Sequence, residues 1–284
     1  ESDFVVLSAK PNLPVLGKKL GKDMGALLIS MNELSWSILL PAFCAGLLVI
    51  VTHVPLGMQV LQRGIIFIDL AIAQVAGLGA YLVTMLLGSE APVLWVQVGA
   101  MGMALVAAWL LVATERVTTR YQEPVIGIVF VLAATAVVLL LANDPHGGQH
   151  LSELLAGQIL WISWAQIFYS ALVTLVLLGA IFLFQGKRAW FYSLFAVAIT
   201  VSVQLVGVYL VFATLIIPAL ATIKLQSKRR RLWATYLVAM AGYALGLLGS
   251  ALFDLPTGPL IVWALAAVGV VALVLLRRER SSPF

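Results

Sequence analysis

From position 36 onward the chain alternates between long apolar segments and short polar joints. The apolar segments fall at roughly 36–53, 65–87, 93–114, 125–142 and 164–184, then after a longer run at 232–253 and 260–276. The longer run is Phe191 to Ile223, which carries no charged residue. As one helix, positions 191–223 would reach about 50 Å at ~1.5 Å per residue. A hydrocarbon core of about 30 Å needs only roughly 20 residues, so the run has to break. The amide and glycine in Gln204-Leu205-Val206-Gly207 mark the place. Counting that run as two short segments, the pattern predicts nine apolar helices. A short amphipathic stretch, LSELLAGQILWIS, precedes the fifth of them.

Charge gives these segments a direction. Lys187 and Arg188 precede the long run, and Lys224 and Lys228 to Arg231 follow it. Both ends therefore face one side, and the run is a helical hairpin. Beyond Met31 the basic residues occupy alternate joints: Arg63, Arg116 with Arg120, Lys187 with Arg188, Lys224 to Arg231, and Arg277 to Arg280. The opposite joints hold Glu33, Glu90, Asp144, Glu153 and Asp254. The positive-inside rule then puts the natural N-terminus outside and the C-terminus in the cytoplasm of a plasma (bacterial inner) membrane.

Composition agrees with that assignment. Of 284 residues, 62% are hydrophobic and only 10% charged, against about a quarter charged in a soluble domain. The fold class is all-α, a polytopic membrane protein, because barrel strands would alternate rather than run apolar. The net charge of +5 comes from topology determinants and implies no nucleic acid partner. Cys44 is the only cysteine, so an intrachain disulfide is excluded.

Residues 1–30 differ from the rest. They are polar, and Lys10, Lys18, Lys19 and Lys22 would fall on the wrong side of the membrane. The part KPNLPVLGKKLGKDMGAL resembles a short stretch near the C-terminal end of class I aminoacyl-tRNA synthetases of the isoleucine type. The expectation is a non-native or fused leader over 1–30, with a transmembrane domain over 31–284 that starts naturally at Met31.

Function in such a protein is marked by polar groups at membrane depth, which cost free energy unless they face a cavity or partner. Asp69 is the one acid inside a predicted span, and Gln74 follows roughly 140° around the helix. They read as a cation pathway, or Asp69 as a structural group at the membrane boundary near Arg63. Asp144, His146, His150 and Glu153 sit together in an outer joint. Imidazole plus carboxylate suits zinc or manganese, and the alternative is a solvated loop in which Ser152 or Asp144 caps a helix. Glu123 and Gly127 stand in a cytoplasmic joint entering a helix, as a docking feature or an ordinary helix start. No GxxxxGK[ST] loop, HExxH or GxSxG is present, so the chain lacks the signatures of an ATPase, a zinc protease or a serine hydrolase.

The order PLGMQVLQRGIIFIDLAIAQ, RYQEPVIGIVF, HLSELLAGQILWIS and VQLVGVYLVFATLIIPALAT resembles the membrane permease of zinc/manganese-type ABC importers. Its most specific part is the family's vGvlLvxALLixPaaxA run, here Val206 to Val211 through Pro218 to Ala221. The resemblance spans residues 36–276 and implies a homodimer, or a dimer of related permeases, served by cytosolic ABC ATPases and an external solute-binding protein. It implies no permanently bound cofactor, the divalent metal being the substrate. Asp69 and Gln74 would line the path, and Asp144, His146, His150 and Glu153 would accept the ion outside. Glu123, Gly127, Lys187 and Arg188 would face the ATPase, with Gln204 and Gly207 as an outer hinge. The family's histidine four residues after the aspartate is absent, Ala73 standing there, and the joint before span six is only Gln185 to Trp190. Alternative functions are a permease for a metal chelate or cobalamin-like ligand, or a stand-alone secondary carrier. N-terminal sequencing of natively expressed protein is expected to start at Met31; a mature chain carrying residues 1–30 refutes the leader assignment.

Overall fold

The computed structural model describes residues 13–88, 91–117, 121–141, 155, 157, 159–183 and 188–278. Residues 1–40 and 41–284 are separate units by their contacts. The described residues form α1 (Leu13–Arg63), α2 (Ile68–Leu87), α3 (Val93–Val117) and α4 (Gln122–Leu141). A short 3-10 turn (Ile159–Trp161) precedes α5 (Trp164–Leu183), α6 (Arg188–Val206) and α7 (Val208–Ala221). The last two are α8 (Lys228–Phe253) and α9 (Thr257–Arg278).

Seven of these helices contain, each alone, a stretch long and apolar enough to cross a bilayer, the first being Ser37–Arg63. The chain is a multi-pass membrane protein. The remaining pair, α6 and α7, is bent by 120° at Gly207. A bend beyond a right angle turns the chain back toward the side it came from, as the charges around the run require. Gly207 takes φ 83° and ψ 163°, an extended positive-φ conformation open essentially only to glycine.

α2 is the hub of the larger unit, packing on α3, α4, α6 and α7. α9 packs on α8 and α7, and α6 packs on α3 and α5. Contact between α2 and α3 depends on two glycines facing each other. A Cβ on Gly79 would strike the Gly99 carbonyl and Met103, and one on Gly99 would strike Val83. Small residues that let backbones approach are the usual means of helix association in lipid. Hydroxyl pairs add interhelical hydrogen bonds: Thr214 with Tyr243 at 2.8 Å, Thr222 with Thr235 at 2.7 Å, and Ser250 with Thr257 at 2.6 Å.

One boundary differs from the sequence expectation. Span one was expected to end near His53-Val54-Pro55, yet α1 continues through Pro55 to Arg63. Proline lacks the N–H that would bond the carbonyl four residues back, which is that of Val51. The Tyr236 hydroxyl on α8 donates to that carbonyl at 3.2 Å. A tertiary contact thus supplies the donor that Pro55 lacks, and the helix runs on. Tyr236→Phe is expected to lower stability by about 1–3 kcal/mol, because it leaves the Val51 carbonyl unpaired in an apolar bundle. Thermal unfolding in detergent measures this, and an unchanged midpoint refutes it.

Candidate functional site

The joint between α1 and α2 is a tight elbow, Gly64 to Phe67, and three elements hold it. The Phe67 N–H donates to Glu123 Oε1 at 3.2 Å, tying the start of α2 to the start of α4. The Phe67 ring stacks on Phe212 of α7, with centroids 6.2 Å apart and planes 3° from parallel. The Arg63 guanidinium lies 4.1 Å over the Phe191 ring of α6. That contact is of the cation–π type, worth about 0.5–1 kcal/mol where exposed and more where dry.

Asp69 follows this elbow in the first turn of α2. It is 1% exposed, and its carboxyl has no side-chain hydrogen-bonding partner among the described residues, only the backbone amides of Asp69 and Leu70 in its own turn. The Glu123 carboxyl is near enough to interact with it electrostatically, and Glu123 Oε2 is buried and unpartnered among those residues. A carboxylate in a helix's first turn gains about 0.3–1 kcal/mol from the aligned peptide dipoles. Burying it without a side-chain partner costs several kcal/mol, so desolvation outweighs the dipole. The fold holds an acidic pair at one end of its central helix at a net cost.

Gln74 is also buried, and the roughly 140° between it and Asp69 does not separate their environments. The first half of α2 is enclosed all round, from Ile68 to Gly79, by its four neighbours. Gln122 is buried beside the acidic pair's elbow and donates to the Leu111 carbonyl at 2.9 Å.

The other expected site residues are dispersed. Asp144, His146, His150, Glu153 and Lys187 lie outside the described residues, and Arg188 contributes the first residue of α6. Gly127 has open space where a Cβ would stand. Gln204 is exposed, while Gly207 is buried at the α6–α7 break. Gly157, at φ 69°, lies against the Val206 carbonyl and the Gly207 nitrogen, so the segment before the 3-10 turn abuts that break. Beside it, Gly157, Ile159 to Trp161 and Pro256 to Pro259 line a shallow cavity of about 210 Å³. No group of three or more His, Cys, Asp or Glu side chains stands close enough to hold a metal ion among the described residues.

Residues 35–189 and 185–276 match the ABC 3 transport family. The chain belongs to that family. A relative from Haemophilus influenzae, named as the membrane protein of an iron transport system, is 27% identical over 175 residues. That alignment takes in 54% of this chain and 64% of the relative, so the chain matches a little under two thirds of that protein's length. Among solved structures, PsaBC from Streptococcus pneumoniae in complex with Fab is similar with a TM-score of 0.67 and 20% identity. It covers 83% of this chain and 90% of its own. An inward-facing ABC transporter assigned to the metal-chelate type gives a TM-score of 0.62 at 16% identity, covering 83% and 85%. At these identities the two structures establish the fold of this ABC 3 family chain.

Sequence reasoning assigned no role to Phe67, Gln122 or His53. Phe67 and Gln122 carried no signal, since an apolar residue and an amide at helix ends are ordinary. His53 did carry one, being the only histidine within an apolar segment. The acidic pair leads to a stability expectation: Asp69→Asn should leave the unfolding midpoint at or above that of the wild type, because it replaces a buried carboxyl next to Glu123 with a neutral amide of the same shape. A lowered midpoint in detergent unfolding would show that the carboxylate is structurally paired instead.

Proposed function

We propose that this ABC 3 family chain is the membrane-spanning subunit of an ATP-driven importer for a divalent transition metal ion, zinc or manganese. The observation that supports it is the family match through residue 276 combined with a buried carboxyl that lacks a side-chain partner at the end of the central helix. The iron-transport name of the Haemophilus relative supports a transition-metal cargo, while the metal-chelate type of one structural neighbour corresponds to the alternative in which the ion travels as a chelate. The metal is cargo rather than a resident cofactor. Energy comes from a cytosolic ABC ATPase, since the chain carries no phosphate-binding loop of its own. An external solute-binding protein delivers the ion to a permease dimer.

In this reading the basic side of the bundle is cytoplasmic and the chain lies in the bacterial inner membrane, with residues 31–284 as the permease domain. The ion enters past the outer joint that contains Asp144, His146, His150 and Glu153. It leaves past Gln74 and Asp69. Glu123, Gly127, Lys187 and Arg188 lie at or near the face that receives the ATPase. Glu123 bonds the α1–α2 elbow, so displacement of α4 by that partner would act on Asp69. Selectivity among first-row ions depends on ligand type and geometry more than on charge.

The test is metal accumulation in cells expressing the permease with its ATPase and binding protein. Zinc or manganese should accumulate, and an ATPase-null control should abolish it. Asp69→Asn should cut uptake by about tenfold or more, the scale on which removing a group at a metal site acts. Uptake that persists without the ATPase would establish a secondary carrier and overturn the importer assignment.

A further inference from the structure

α1 carries a buried imidazole that the path described above does not use. His53 is completely buried, ten residues before the end of α1 at Arg63, and so about 15 Å along the helix from that end. Its Nδ1 lies 3.0 Å from the Val49 carbonyl and 3.0 Å from Thr52 Oγ1. A carbonyl only accepts, so the hydrogen-bond network places the ring proton on Nδ1. The Thr52 hydroxyl in turn donates to Val49 O at 3.0 Å, which leaves its oxygen free to accept from the same ring N–H. The Nε2 of this tautomer is a bare lone pair, buried and without a hydrogen-bonding partner among the described residues.

This is the arrangement that prepares an imidazole to bind a metal. Ligating histidines donate their other ring N–H to a backbone carbonyl or carboxylate, which fixes the tautomer and makes the free nitrogen more basic. An acceptor left without a partner in an apolar bundle costs stability. A histidine needed only to fill space would be replaced at lower cost by an apolar residue.

The helix geometry says what the side of α1 carrying the imidazole faces. Gly46, His53 and Gly57 fall on one stripe of α1, within about 40° of each other at 100° per residue. Gly46 packs on the Tyr243 ring of α8, and Gly57 on the Leu215 backbone of α7. Between those two contacts the same wall carries the Thr214–Tyr243 pair, both residues completely buried. Thr214 donates to the Leu210 carbonyl, so it accepts from Tyr243, and both oxygens keep a lone pair. The stripe of α1 that carries His53 thus packs on the wall that carries these hydroxyl oxygens, and imidazole with hydroxyl oxygens is a donor set for first-row transition ions rather than magnesium or calcium.

We propose that His53 is a transit ligand for the transported metal at mid-membrane depth, supplying from α1 the imidazole that α2 lacks at Ala73. This rests on the metal-importer assignment. With one imidazole and neutral oxygens the site holds an ion weakly, as passage requires.

His53→Asn separates a ligand from a structural role. The Asn amide keeps an N–H for the Val49 carbonyl and removes the Nε2 lone pair. In vesicles containing the permease with its ATPase and solute-binding protein, this variant should reach wild-type abundance yet take up zinc and manganese about tenfold more slowly or worse. His53→Gln, which returns an oxygen to the Nε2 position, should restore part of the rate and shift preference from zinc toward manganese. Wild-type-like uptake by His53→Asn, beside an active wild type, overturns this proposal alone. A wild-type complex that moves neither metal overturns the importer assignment and this proposal with it. If His53→Asn fails to accumulate, the result is read on His53→Gln, where an unchanged zinc-to-manganese ratio refutes the ligand role.

Discussion

In a bilayer every backbone N–H and C=O has to find its partner inside the protein, because there is no water at depth to supply one. Pro55 and Gly207 are two of the places in the described part of this chain where its apolar segments cannot meet that demand alone, Pro41 and Pro218 being others. At Pro55 the helix loses a donor, and the Tyr236 hydroxyl replaces it from another helix. At Gly207 the helix stops, and the chain turns by 120° rather than continuing. The first solution extends α1 to Arg63 and so places the elbow that precedes Asp69. The second returns α7 to the side from which α6 started.

The contacts between helix ends support this account independently of charge. Phe67 bonds Glu123, Arg63 covers Phe191, and Thr222 bonds Thr235. All six residues lie at or near ends flanked by basic joints. On the other side, Ser250 bonds Thr257, and Gly157 lies against Val206 and Gly207. In these contacts no basic-side end pairs with an acidic-side end. Two unrelated physical signals, the distribution of Lys and Arg and the pairing of helix ends, therefore sort the chain into the same two faces.

What could be read from the sequence follows from which interactions are local. The helices were legible because a bilayer-spanning segment declares itself by apolar length, and the break at Gly207 by the excess length of Phe191 to Ile223. The continuation through Pro55 was not legible, since its cause is a tyrosine 181 positions later in the chain (236 − 55). Asp69 was visible as an acid in an apolar run, and Gln74 as its neighbour. Their common enclosure was not, because it depends on α3, α4, α6 and α7 closing around α2. Glu123 had the look of an exposed helix start and instead bonds the α2 elbow, a contact 56 residues away in sequence.

The buried polar groups that lack a side-chain partner are not scattered at random. His53 Nε2 lies about 15 Å from the basic end of α1, while Asp69 stands at the first turn of α2. Each costs stability where it stands, and an apolar replacement at either place would be cheaper for folding. A single deep site collecting all these groups would bind an ion tightly and release it slowly. Separate, incomplete sites along the bundle do the opposite, because each binds weakly enough to give the ion up to the next. The contacts from α4, α6 and α7 that hold Phe67 and Arg63 also set the position of the Asp69 carboxyl at the start of α2. A relative shift of those helices cannot leave Asp69 where it is, so on the proposed path the elbow would couple bundle movement to that carboxyl.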